Sequence, residues 1–324
     1  MVNLSIIVPV YNVEDFVERA LLSIVAKQQG LNDYELICVD DGSTDRSAAL
    51  IRKLAEQYPM IKLIQQQNQG VSVARNTGID HARGIYMMFM DPDDFYVPDS
   101  IVSLLNCMEE HDLDLLAFDI QRTTADHLER VDKIHCQVYS QKSFYQKTIA
   151  LPFCVAYIYR KALIGFIRFP KGLIAAEDFV FVESVSLHAK QIGVVEQRLY
   201  GYFSNQHSVM NKKDDQARNQ RFAQDYLTAI QLFKELVDDN RNTELAPYLR
   251  FRLEFRLFHF LKRMKDRNVP FPEVNAYLKM LKIGPFEAIG KVQLQTKSWF
   301  FRTMILNHPL LFALAYRIPS RILI

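Results

Sequence analysis

The sequence predicts an α/β fold, a mostly parallel sheet flanked by helices, followed by a helical C-terminal region. Three observations carry this. Over residues 1–120 short apolar runs alternate with amphipathic ones. The apolar runs suit strands buried on both faces, which the helices between them would cover. After about residue 216 only helical periodicity remains. A chain of 324 residues has room for one large or two medium domains.

In order, "LSIIVPV" (4–10), "YELICVD" (34–40), "IKLIQQ" (61–66), "GIYMMFM" (84–90) and "LDLLAFDI" (113–120) read as strands. Between them "EDFVERALLSIVAK", "STDRSAALIRKLAEQY", "SVARNTGIDHA" and "PDSIVSLLNCMEEH" space their apolar residues by three and four, and read as helices. Residues 121–215 are more mixed. Short β-like runs, "IHCQVYS", "VAYIYR", "IGVVEQ" and "LYGYFS", surround one helix near 178–189. Beyond "NKKDDQARN" come "RFAQDYLTAIQLFKELVDDN" and "APYLRFRLEFRLFHFLKRMKD". The second alternates at Phe251, Leu253, Phe255 and Leu257 as a strand would, but its length and its Leu249, Leu253, Leu257, Leu261, Met264 stripe favour a helix.

Apolar residues make up 49% and charged residues 23%, a globular balance, and the net charge of +2 makes no case for nucleic acid. The four cysteines lie far apart with no CxxC pair, which speaks against zinc ribbons and disulfide scaffolds and for buried reduced thiols. "MVNLSIIVPVYN" has neither the basic lead nor the apolar length of a signal peptide, and no apolar run approaches the ~20 residues that span a bilayer. The expected location is cytoplasmic.

Carboxylates gather where strands end. Asp40 and Asp41 follow the second strand, and Asp91, Asp93 and Asp94 follow the fourth, in "GIYMMFMDPDDFYVPD". Ligands bind beyond the carboxyl ends of such strands, and a repelling acid cluster is costly unless a cation or hydrogen-bond donors compensate it. Turn and cap roles also account for single acids: Ser43 or Thr44 could cap the helix after "VDDGSTD", and Asp99 or Ser100 the helix after "DPDD".

Together, "IIVPVYN", "VDDGSTD", "NQGVSVARNTGI", "MDPDD" and "AAED", in this order, resemble the family 2 glycosyltransferases, inverting enzymes of the GT-A fold that use nucleotide sugars. The resemblance covers roughly residues 3–210 and is similar in layout to bacterial enzymes of lipopolysaccharide, capsule or exopolysaccharide synthesis. It implies a catalytic domain over 1–215, with a nucleotide-sugar half (1–100) and an acceptor half (101–215), and a helical region over 216–324. Pro9 and Tyr11 would frame the base, Asp40 would accept a hydrogen bond from uracil with Asp41 beside it, and Arg75 would lie near base and diphosphate. Asp91 and Asp93 form the DxD motif: Asp93 would ligate a divalent metal, Mn²⁺ or Mg²⁺, and Asp91 would meet the ribose or the metal's water shell, with Asp94 behind them. A hard cation held by oxygen ligands bridges carboxylates to phosphates. Asp178 would be the general base, with Glu177 in reserve.

In "YGYFSNQHSVMNKK", where family members often carry an arginine, this chain has Ser204 or Asn205, and His207 could be a third metal ligand or a phosphate donor. After Glu287 no acid follows, while Lys291, Lys297, Arg302, Arg317 and Arg321 interleave with "WFF", "MIL" and "LLFALAY". That profile suits either a segment lying on an anionic inner-membrane surface or a packed core helix. The expected partners are a nucleotide-sugar donor, with UDP-sugar favoured, and a glycan or lipid-linked glycan acceptor. A non-catalytic nucleotide-sugar-binding or scaffold protein with a degenerate site is the rival, and Asp40, Asp91, Asp93 and Asp178 all being present argues against it. A nucleotidyltransferase would need a glycine-rich, basic phosphate loop that "IIVPVYNVEDF" lacks.

Overall fold

The computed structural model describes residues 2–125, 127–131, 133–147, 151–204, 216–267 and 269. The chain divides into two compact units, Met1–Gln141 with Ala150–Ser208, and Lys142–Ile149 with Val209–Ile324.

The first unit opens with alternating strands and helices: β1 (Leu4–Val10), α1 (Val17–Val25), β2 (Tyr34–Asp40), α2 (Ser47–Gln57), β3 (Ile61–Gln65), α3 (Val71–His81) and β4 (Tyr86–Phe89). Then follow β5 (Phe95–Tyr96), α4 (Ser100–Glu110), β6 (Leu115–Thr123) and β7 (Cys136–Ser140), with α5 (Gln141–Lys147) next in the chain. The unit closes with β8 (Tyr157–Arg160), the short α6 (Lys161–Ile164), α7 (Glu177–Ser186) and β9 (Gln191–Phe203).

All strands join one sheet in the order β3, β2, β1, β4, β8, β6, β9, β5, with β7 also on β9. Strands β1 to β4 pair in parallel. Beyond β4 the sheet is mixed: β8 runs antiparallel to both β4 and β6, and β9 lies parallel to β6. Because β8 reverses direction between them, β6 and β9 run the same way as β1 to β4. Six strands therefore bring their carboxyl ends to one rim. The runs at 192–197 and 199–204, read as two strands, form the single β9, kept continuous by register shifts against β6 at Phe118 to Ile120. Extra residues at such a bulge bend a strand without ending it.

Gly78 lets α3 lie close on the sheet, and Gly84 lets the segment leading into β4 lie close on β1. A Cβ at Gly78 would come 2.3 Å from Ile7 Cγ2, and one at Gly84 would come 2.5 Å from the Ser5 amide nitrogen. The expected caps are absent. Ser43 Oγ accepts the Asn12 amide at 3.1 Å and the Thr44 amide donates to Asn12 Oδ1 at 2.8 Å, tying the loop after β2 to the loop after β1. Asp99 sits in the left-handed region with φ 60° and accepts the Gln29 amide. Neither it nor Ser100 caps α4 by a side chain.

The second unit packs α8 (Gln216–Asp239) and α9 (Ala246–Asp266). Phe222, Tyr226, Ile230, Phe233 and Val237 line α8, and Leu249, Leu253, Leu257, Leu261 and Met264 line α9, all buried. That four-residue spacing is one helical face, which settles the ambiguous run as helix. Cys38, Cys107 and Cys154 are buried, Cys136 is half-buried, and all four are free. Among the described residues no helix is long and apolar enough to cross a membrane. The basic stretch beyond 290 lies outside the described residues.

At the opposite end of the sheet from the rim, Glu35 of β2 is buried and accepts Ser5 Oγ at 2.7 Å, Lys62 Nζ at 2.5 Å and the Arg83 amide at 2.7 Å. Burial alone would raise its carboxyl, but these hydrogen bonds outweigh burial and hold it at about 2. A depressed carboxyl stabilises the fold above its unfolded value, near 4.5, and that contribution disappears as pH falls through 2. The contribution is about 2–3 kcal/mol, reduced because Lys62 is partly exposed to solvent. Glu35→Gln should therefore unfold in less urea at pH 7 and lack the wild-type loss between pH 4.5 and 2. Superimposable acid profiles of the two proteins would refute this account.

Candidate active site

At the rim, Pro9 is buried in the strand just before β1 ends at Val10, and β2 ends in Asp40. Tyr11 follows and is 49% exposed. Asp40 and Asp41 are both buried. Asp40 accepts the Ser43 amide at 3.0 Å and Gln65 Nε2 at 2.9 Å, using one oxygen for each. Asp41 accepts the Gln69 amide and Gln66 Nε2 on Oδ1 and the Gly70 amide on Oδ2, all within 2.9 Å. It holds the loop that leads into α3, and Gly70 at φ 91° makes the turn.

α3 carries the next two residues inward. Asn76 Nδ2 donates to the Phe169 carbonyl and Asn76 Oδ1 accepts the Phe169 amide, each at 2.9 Å. Phe169 in turn stacks on Phe181 of α7 with ring centroids 3.9 Å apart. This clamp fixes α3 against α7. Arg75, 3% exposed, then reaches three carboxylates. Its Nη1 donates to Glu177 Oε1 and Asp178 Oδ1 at 2.8 Å, and its Nη2 to Asp91 Oδ1 at 2.9 Å. The sequence expectation set Arg75 at the base and diphosphate. Its guanidinium donates to side chains at β4's end and in α7's first turn.

Burial pushes the Asp178 carboxyl up to about 8. Arg75 opposes that, Glu177 and Asp91 add to it, and a Cys154 thiol hydrogen bond eases it. The same carboxylates hold Arg75 well above its ordinary value against the effect of burial. Three carboxylates share one cation, so one of them accepts a proton readily.

Residues 90–94 carry the chain from β4 to β5, on the far side of β9, so Asp91, Asp93 and Asp94 lie across the rim. Asp94 is fully buried and structural: its Oδ1 accepts the Phe203 amide at 2.8 Å. The Tyr200 hydroxyl accepts the Asp91 amide at 3.0 Å and hydrogen-bonds toward Asp94. Asp93 is different. Its backbone carbonyl accepts Arg19 Nη2, but no side-chain ion pair engages its carboxylate among the described residues. Burial and Asp91 push it up to about 6, and Arg19 only partly offsets them. A half-buried carboxylate whose charge is only partly offset, beside an acid with one oxygen unused by Arg75, is a donor set suited to a hard divalent cation. Asp93 and Asp91 fit the expected metal. No group of three ligating side chains occurs among the described residues, and His207 lies outside them.

Sequence reasoning missed Cys154 and Tyr200 as neighbours of these acids. Cys154, in a 3-10 turn before β8, and Tyr200, on β9, belong to other parts of the chain and carry no local signal.

A family model, glycosyl transferase family 2, matches residues 5–165. EpsJ of Bacillus subtilis, an uncharacterised glycosyltransferase, is 30% identical over 71% of this chain and 69% of its own. GgaB of the same organism, a minor teichoic acid biosynthesis protein, is 28% identical over 87% of this chain, which spans only 31% of GgaB's length. In structure, the mannosyltransferase PcManGT of Pyrobaculum calidifontis, solved with GDP-Man and Mn²⁺, is similar with a TM-score of 0.57 at 16% identity, covering 94% of this chain and 86% of that one. That likeness is one of fold, the GT-A arrangement of a central sheet flanked by helices.

Removing the shared cation should be costly. Arg75→Met leaves one buried and two half-buried carboxylates facing one another without their shared cation, and the cost should approach the ~3–5 kcal/mol of a broken buried pair. Arg75→Lys, which keeps the charge but loses the fork, should fall between. Urea denaturation of the three proteins checks the order; a Met variant as stable as wild type would show that the acids are held apart by something else.

Proposed function

This chain belongs to glycosyl transferase family 2, and from that premise we propose that it is an inverting glycosyltransferase. It moves a sugar from a nucleotide-sugar donor, with UDP-sugar favoured, to a hydroxyl of a growing cell-surface glycan. The observation that carries the reading is the Arg75 guanidinium, which joins the donor-side acid Asp91 and the helix-start acid Asp178 through different nitrogens. Two acids with separate tasks are thereby held at a fixed separation within one site.

In this reading Pro9 and Tyr11 frame the base, Asp40 and Asp41 shape its pocket, and Asp91 with Asp93 hold a divalent cation. When bound, that cation neutralises charge on the leaving diphosphate. Asp178 takes the proton of the acceptor hydroxyl. The acceptor oxygen forms its bond to the anomeric carbon, the bond from that carbon to the phosphate oxygen breaks, and its electron pair leaves with the nucleoside diphosphate. Burial supports Asp178 in this role, since it makes the carboxylate a stronger base than a solvated one. Arg75 and the Cys154 thiol orient it. The basic stretch from Lys291 to Arg321 is read, from its sequence alone, as a segment that keeps the protein at the cytoplasmic face of the inner membrane.

Release of nucleoside diphosphate from a panel of UDP- and GDP-sugars, with and without chelator, tests the reading. Metal-dependent turnover of a UDP-sugar is expected. Nucleotide-sugar binding without turnover of any donor would favour a binding protein with a degenerate site. Asp93→Asn should lose nearly all transfer and its metal-dependent nucleotide affinity while keeping its fold by circular dichroism. Full activity in that variant, or in excess chelator, would overturn the metal assignment. Asp178→Asn should slow transfer by roughly 10²–10⁴-fold, typical of a removed general base, and leave donor affinity almost unchanged in calorimetry. Collapse of donor binding in parallel would mark Asp178 as structural.

A further inference from the structure

The rim holds many acids, and its described cations are largely consumed. Arg75 is spent on Asp91, Glu177 and Asp178. Arg19 donates to the Asp93 carbonyl and lies 4.1 Å from the Phe203 ring centroid and 5.3 Å from that of Phe95. An anionic ligand arriving at this rim would meet neither guanidinium with its donors open.

Arg122 differs. It stands at the carboxyl end of β6, directly across from Tyr202 of β9 in the parallel register, on the same rim as Asp91 to Asp94. Its guanidinium carbon lies 5.6 Å from the Tyr202 ring centroid. Arg122 is exposed and, among the described residues, has no carboxylate within ion-pair distance. The carboxylates are nonetheless near: Tyr202 is raised by burial, then by Asp94, Asp91 and Asp93, and is lowered by Arg122. The neighbouring turn is anchored to the same strand end, since the Phe203 amide donates to Asp94. A guanidinium held over an aromatic ring keeps its edge donors free and gives up less rotamer freedom on binding. The partner that fits a planar fork of N–H groups is a carboxylate or a phosphate, and a carboxylate-rich rim disfavours the former.

We infer that Arg122, seated on Tyr202, is a phosphate-binding position of this site. The phosphate belongs either to the donor's diphosphate or to a phosphodiester of an anionic acceptor. Those two sources rest on the proposed function, whereas the phosphate contact itself does not.

The test begins with inorganic pyrophosphate and no metal, measured by calorimetry on the full chain. Arg122→Ala should weaken binding about tenfold or more, the usual loss of a charge-assisted fork, and Arg122→Lys should recover part of it. Tyr202→Leu should weaken it less, through loss of the platform. Equal pyrophosphate binding, or none, in wild type and Arg122→Ala would overturn the assignment, whatever donor the protein uses. Two arms then separate the sources. If the donor supplies the phosphate, Arg122→Ala weakens UDP with Mn²⁺ present but leaves uridine unchanged. If the acceptor does, UDP affinity holds, and KM rises for a polyol-phosphate oligomer but not for an uncharged glycoside. Pyrophosphate dependence on Arg122 in a protein that turns over no nucleotide sugar would retain this position and reject the glycosyltransferase reading.

Discussion

Arg75 sits almost fully buried inside a half-circle of three carboxylates drawn from the end of β4 and the first turn of α7. Each acid would be difficult to bury alone, because a desolvated charge is tolerated only when paired and hydrogen-bonded. The single guanidinium makes all three tolerable at once and sets the spacing between them. Its planar fork matters as much as its charge, since one nitrogen serves Glu177 and Asp178 and the other serves Asp91.

That contact depends on how closely α3 lies on the sheet. Gly78 permits the helix to press on Ile7, the Asn76 side chain clamps both backbone groups of Phe169, and Phe169 stacks on Phe181 of α7. The glycine, the amide and the ring stack are ordinary packing features with no chemistry of their own. They determine where the guanidinium sits, and so where Asp178 is held. The crossing turn from β4 to β5 is stabilised in the same manner. Asp94 is spent on the Phe203 amide, while Asp93, only partly offset by Arg19, has no side-chain ion pair among the described residues. Three neighbouring acids of similar appearance therefore differ in their surroundings: Asp91 pairs with arginine, Asp93 has no side-chain ion pair among the described residues, and Asp94 braces the strand end.

Much of this was legible in the sequence. Unbroken apolar runs marked β1, β2 and β4 because burial on both faces leaves no polar alternation. The four-residue stripe identified α9 against its misleading alternation. Other features were not legible because they depend on partners distant in the chain. β5 is two residues long, too short for any period, and exists because β9 supplies its hydrogen bonds. β9 read as two strands because the bulge opposite Phe118 to Ile120 breaks its pattern locally while the ladder to β6 persists.

The site divides along the same line. The sequence by itself determined which acids stand at strand and helix ends, because motif spacing and apolar periodicity are local properties that need no folded partner. Only the tertiary structure decided what each charged group faces. Arg75 stood in a motif with no partner named, and it pairs with side chains 16, 102 and 103 residues away. Arg122 carried no motif, yet the β6–β9 register places it beside Tyr202 on the rim, with no ion-pair partner among the described residues. The reason is electrostatic: a charge's role depends on its nearest counter-charge and its burial, and both are set by contacts that chain order does not contain.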